Sequence, residues 1–238
     1  METSIPQATP VPLKVGMLCY PGMTMLDLTG PQAVLGSHSE TFLIWKSLDP
    51  VKTDSGLSSN PSHTFAEVPG QLDVLFVPGG YTATEMMGDD EVIDFLAQAG
   101  VSAKYVTSVC SGALLLGMAG LLDGYRAATH WAVYDVLESL GVQAEHARVV
   151  HDRNRMTGGG VTAGIDFGLT LLAELRGEMV AKMTQLAMEY DPAPPFDTGS
   201  PEKAGPELVA MIQQGMGDGL NKAGIETAKR KRGMSAPV

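Results

Sequence analysis

Only two cysteines stand in 238 residues, so no disulfide framework holds this chain, and a reducing compartment suits it better than an oxidising one. Positive charge is also scarce: 16 Lys and Arg face 27 Asp and Glu, a net charge of −11 with a pI near 4.8. That balance argues against a nucleic-acid surface and for a small neutral or cationic ligand. No run approaches the ~18 apolar residues of a membrane span. The opening METSIPQATPVPL has neither the basic start nor the apolar centre of a signal peptide. These absences point to a cytoplasmic protein that binds neither membrane nor nucleic acid. What the chain has is apolar substance, 44% against 18% charged, enough for one large α/β domain or two small ones.

Residues 1–12 read as a loose tail. Apolar runs bounded by turn residues mark strands at Leu13–Tyr20, Thr41–Leu48, Asp73–Val77 and Ala103–Val109. Helical patterns alternate with them. One short helix starts from about Pro31, a residue suited to a first helical position, and another runs to Ala99 behind an Asp89 cap. Further helices open at Ser111, cover Trp131–Leu140 up to Gly141, and run to Glu174 and from Glu178 to Glu189. The Ser- and Asn-rich Lys52–Pro69 region reads as a hairpin or excursion, and short strands Ala144–Val150 and Arg155–Thr157 flank the polar turn His151–Asn154.

Buried strands alternating with helices predict an α/β fold: a mostly parallel sheet covered by helices on both faces. A single domain spans 13–190. Beyond it, 191–238 is a Pro-rich strap, Asp191–Pro206, and a last helix, Glu207–Lys229. Pro194-Pro195-Phe196 is too apolar for a tether, so the strap and helix are expected to pack on the surface of a homodimer. The basic run Lys229–Arg232 reads as a solvated helix end that suits the helix dipole.

The chain is organised around Ala103–Leu122, AKYVTSVCSGALLLGMAGLL. A β-branched strand stops at Cys110, and an Ala- and Leu-rich helix opens at Ser111. A Cys there sits at the carboxyl edge of a parallel sheet and at a helix N-terminus, a place that favours a thiolate. This is a nucleophile elbow with Cys in place of Ser, although a small buried core Cys would fit the same residues. Asp27 follows the first strand, so a parallel sheet brings it to the same edge. It is either a cap for the next helix or a carboxyl group that passes protons to and from the thiol. Ser111 caps its helix or donates to a reacting atom. Gly79-Gly80 follows a buried strand, and its N–H groups either turn the chain or face developing negative charge. His130 is read as a histidine satisfied by backbone rather than a base for Cys110, and Cys19 as a buried thiol. No His, Cys and Asp set has metal-ligand spacing. Gly158-Gly159-Gly160 is a tight turn, not a phosphate loop.

Several stretches carry a resemblance. They are LDLTGP (Leu26–Pro31), DVLFVPGG (Asp73–Gly80), YVTSVCSGALLLGMAGLLDG (Tyr105–Gly124), AATHW (Ala127–Trp131), TGGGVTAGIDFGLTLLAEL (Thr157–Leu175) and APPF (Ala193–Phe196). With them the chain resembles the ThiJ/PfpI superfamily of class-I glutamine-amidotransferase-like proteins, from about Lys14 to Pro201. Within it the isonitrile hydratase branch is most similar. Asp27 stands where many members carry Glu, Ser111 where protease-like members carry His, and the Pro-Pro-Phe strap is shared. Ser111 and Val161 depart from that branch, which carries Thr and Ile there.

The resemblance implies an enzyme that hydrates isonitriles, with no metal and no organic cofactor. Cys110, Asp27 and Ser111 are then catalytic, and Gly80, Gly159 and Val161 line the substrate site. The elbow and AATHW are also similar to the sensor domain of AraC-type regulators, which implies the rival reading of a small-ligand-binding module without catalysis.

Overall fold

In the computed structural model, which describes residues 11–232, the chain forms eleven strands and ten α-helices among those residues. The strands are β1 (Leu13–Leu18), β2 (Ser39–Trp45), β3 (Val51–Lys52), β4 (Ser58–Ser59), β5 (His63–Thr64), β6 (Val74–Val77), β7 (Tyr105–Ser108), β8 (Arg126–Ala127), β9 (Gln143–Ala144), β10 (Val149–Asp152) and β11 (Arg155–Gly158). Seven of them make one sheet in the order β10-β11-β7-β6-β1-β2-β5, and the pairs β3–β4 and β8–β9 lie outside it. All its pairings are parallel except the β10–β11 edge hairpin. Every residue of β6 is buried, as is expected of a strand covered on both faces, which needs no alternation.

The helices are α1 (Met25–Leu35), α2 (Ala83–Met86), α3 (Asp90–Ser102), α4 (Gly112–Met118), α5 (Tyr134–Ser139), α6 (Ala163–Arg176), α7 (Glu178–Ala187), α8 (Pro201–Ala204), α9 (Pro206–Ile212) and α10 (Asp218–Arg232). Eight of them fall into two groups, α1 with α6 and α7, and α2 to α5 with α10, one for each face of the sheet. Asp89 caps α3 as expected, its carboxylate accepting the Val92 N–H.

Two expectations need correction. The first helix starts at Met25, not at Pro31, which sits inside it. Pro31 is held there by packing, because its ring rests on Gly164 and Gly168 of α6, where the absence of side chains lets the two helices approach. The last helix is broken: α9 and α10 are joined by a π-helical turn, Gln213–Gly217. α10 packs against its own chain, with Ala228 buried and Asn221 Nδ2 donating to the Ala132 carbonyl at 2.9 Å. Of the expected tail, residues 1–10 lie outside the described residues.

The order of the sheet places the site. From β1 the chain moves outward to β2 on one side, then returns to lay β6 on the other. The crevice beyond the carboxyl ends of β1 and β6 is therefore a topological switch point, where open α/β sheets bind ligands.

Candidate active site

Four loops leave carboxyl strand ends at this crevice: those after β1, β6, β7 and β11. Cys110 follows β7 in the left-handed region, with φ +53°. A side chain is strained there, and the surroundings fix it. Its N–H donates to the carbonyls of Gly159 at 2.7 Å and Gly158 at 3.2 Å. Its own carbonyl accepts the Thr129 hydroxyl at 2.9 Å. A side chain on the next-but-one residue, Gly112, would collide with the carbonyl oxygen of Val77. The elbow therefore requires glycine at that position.

Ser111 does not cap α4. Its hydroxyl accepts the Gly80 N–H at 2.9 Å and donates to the Gly80 carbonyl at 3.0 Å, tying the elbow to the loop after β6. The Gly80 N–H is thereby engaged and does not face the cavity as a free donor, which corrects the expectation that it holds a reacting group. Gly79 is where the parts crowd together. A Cβ on it would stand 2.5 Å from the Ser111 nitrogen, 2.7 Å from Cys110 Cβ and 2.8 Å from Asp27 Oδ2.

Asp27 is the third residue of α1 and is fully buried; the cap position belongs to Thr24. Oδ2 accepts the Gly79 N–H at 2.8 Å, while Oδ1 has no partner of ordinary hydrogen-bond geometry. The Cys110 thiol and this carboxyl group meet beside Gly79, and each shifts the other's titration. Burial is the main cause that raises the Asp27 pKa to about 7; the Gly79 N–H and the thiol oppose the rise, and the Asp54 charge adds to it. Burial likewise pushes the Cys110 thiol well above its ordinary range, with the Asp27 charge adding, while the N–H and hydroxyl of Ser111 pull it down. The resting group is a neutral thiol, so the thiolate expected from the helix N-terminus is not the ground state. Desolvation outweighs the dipole of a seven-residue helix.

A cavity of about 250 Å³ opens on Cys110, lined also by Ser111, Gly80 and Val161. Gly159 is not on its wall; it supports the elbow through its carbonyl instead. Asp27 is not on the wall either; it lies behind it, where Gly79 meets Cys110 and Ser111. His130 is on it, and its Nδ1 accepts the Ala132 N–H at 3.3 Å, so it is satisfied by backbone as read from the sequence. Burial depresses its pKa, which leaves a neutral ring with its proton on Nε2. Cys19 is buried beside Ser59 with its pKa raised by burial to about 11, an inert thiol.

Sequence reasoning missed Asp54, Tyr81, Val133, Met216 and Leu220 on the cavity wall. Asp54 accepts the Met25 N–H at 3.0 Å and so steadies the turn that carries Asp27. Among the described residues no group of His, Cys, Asp and Glu is placed to hold a metal ion, and no helix is long and apolar enough to cross a membrane.

The model of the DJ-1/PfpI family matches residues 13–174, which hold the sheet and the elbow. The chain belongs to this family. A DJ-1/PfpI relative from Pseudomonas putida, isonitrile hydratase, is 50% identical over 199 residues, 83% of this chain and 87% of that protein. The crystal structure of a ThiJ/PfpI family protein from Pseudomonas syringae superposes with a TM-score of 0.87 at 44% identity, covering 95% of this chain and 98% of that one. The transcriptional regulator CdhR of Pseudomonas aeruginosa is 31% identical over 136 residues, 56% of this chain but 39% of the regulator.

Proposed function

We propose that this protein adds water to isonitriles, R–N≡C, and releases N-substituted formamides. The observation that carries the reading is the buried Cys110–Asp27 pair, with Cys110 on the cavity wall and the carboxyl group behind it raised by burial to about 7. Similarity to the isonitrile hydratase of Pseudomonas putida supplies the substrate class.

The residues suggest the steps. Asp27 as carboxylate takes the Cys110 proton, and the thiolate is held by the Ser111 N–H. Sulfur bonds to the terminal carbon of R–N≡C, and Asp27 returns the proton to that carbon, giving the covalent thioimidate R–N=CH–S–Cys110. Water adds to the same carbon, one of its protons reaching the nitrogen. The C–S bond then breaks, the sulfur recovers a proton, and R–NH–CHO leaves. A carboxyl group near pKa 7 can give and accept a proton at neutral pH, which a solvated Asp with pKa near 4 does poorly.

The reading also takes the protein as a cytoplasmic homodimer. Its two thiols are free and buried, α7 exposes Met179, Met183 and Leu186, and Phe196 and Met211 are exposed as well. Apolar surface of that kind suits a second copy.

Incubation with a simple alkyl isonitrile, read by mass spectrometry, is expected to yield the corresponding formamide. Absence of product together with saturable binding of small ligands would favour the sensor reading, which the similarity to CdhR supports.

A further inference from the structure

A second cavity, of about 320 Å³, lies outside the reactive one. The two share three walls: Tyr81, His130 and Met216. The outer cavity is covered by Thr198, Gly199, Ser200, Pro201 and Ala204 of the strap and by Leu208 and Ile212 of α9. Its lining holds no Asp, Glu, Lys or Arg among the described residues, and its one histidine is kept neutral by burial. The reactive cavity alone, about 250 Å³, is smaller than the roughly 300–1,000 Å³ of ordinary small-molecule sites. With the outer cavity it enters that range.

Met216 stands between the two. It belongs to the π-helical turn Gln213–Gly217, an irregularity of the kind that recurs at functional sites. An unbranched side chain with three rotatable bonds is suited to a movable partition, since it can swing aside at little cost.

We propose that the outer cavity receives the far end of a long, uncharged N-substituent, so that the substrates of the Cys110 site are isonitriles with extended alkyl or arylalkyl groups. The inference rests on the hydratase reading and adds to it the class of R group. The reacting carbon sits at Cys110, the chain passes Met216 between Tyr81 and His130, and its end lies under the strap against Leu208 and Ile212. A charged substituent would be stranded there without a partner. The π turn and the strap, which have no role in the chemistry, become the specificity-determining parts.

The test is kcat/KM for unbranched isonitriles from methyl to octyl, with the wild type and with Ala204→Trp. Ala204 lines the outer cavity and not the reactive one. The wild-type value should climb about two- to fourfold per methylene until the outer cavity is filled. Ala204→Trp should lower the octyl value by about tenfold or more, the equivalent of two buried methylenes, and change the methyl value less than about twofold. Leu208→Ala, which enlarges the same space, should extend the climb to longer chains.

A parallel titration measures the unreactive products N-octylformamide and N-methylformamide by calorimetry, with tight binding of the octyl compound expected only where residue 204 is Ala. A flat length profile in the wild type, or an Ala204→Trp profile identical to it, would overturn the proposal while leaving isonitrile hydration standing. Binding of N-octylformamide that Ala204→Trp abolishes, in a protein that turns over no isonitrile, would keep the apolar site and reject the hydratase reading.

Discussion

At the scale of single residues the account turns on where one proton resides. Asp27→Asn keeps the shape and can still accept the Gly79 N–H, yet it cannot exchange a proton. The rate should fall by about 10²–10⁴-fold. Asp27→Glu, which retains the acid and moves it by one methylene, should keep more activity than Asn. A merely structural Asp27 would leave the Asn variant nearly as active as the wild type, measured on one isonitrile at matched circular dichroism. The same group makes a prediction about stability. Its folded pKa is about 7, raised from 3.8. Between these values the unfolded chain has lost the proton and the folded protein still holds it. Wild-type stability contributed by this group is therefore full below pH 4, declines as pH rises, and is gone above pH 7. Asp27→Asn lacks that decline, so its unfolding free energy should gain on the wild type's across this window, by at most about 4 kcal/mol. A constant difference from pH 4 to 8 would show that Asp27 titrates normally.

At the scale of elements, the elbow is held by backbone rather than by side-chain caps: β7 ends, Cys110 adopts φ +53°, and the loops after β6 and β11 close on it. Gly79→Ala should push Ser111, Cys110 and Asp27 apart, costing about 1–3 kcal/mol of stability from overpacking. It should also cost activity out of proportion to that loss. Chemical denaturation and turnover on the same sample decide it, and an Ala variant with normal turnover would contradict the crowding inferred here. The elbow and Asp27 were legible in the sequence because each follows an apolar run that can only be a buried strand, and parallel strands share a carboxyl edge. The start of α1 was not, since Pro31 looks like a first helical residue until its fit against Gly164 and Gly168 of α6 is seen. Asp54 was hidden in a polar excursion with no local signal. The engagement of the Gly80 N–H by Ser111, and the neutral resting thiol, follow from tertiary burial, which no spacing of residues reports.

At the scale of the whole molecule, the C-terminal third does two things that composition suggested only in part. Met216 and Leu220 close the reactive cavity from the same chain, while α7, α9 and the strap leave Met183, Leu186, Met211 and Phe196 exposed. The protein should sediment as a dimer at micromolar concentration, and as a monomer when Met183 and Leu186 are both changed to Lys. A wild-type monomer would contradict it. The central claim, that Cys110 carries the substrate covalently, is tested most directly by the mass of the intact protein quenched in acid during turnover of an isonitrile. The expected result is a species heavier by the mass of the isonitrile, mapped to the peptide containing Cys110, that appears at once and decays as substrate is consumed. Formamide accumulating while the protein mass never changes, with Cys110→Ala keeping pace with the wild type, would contradict it.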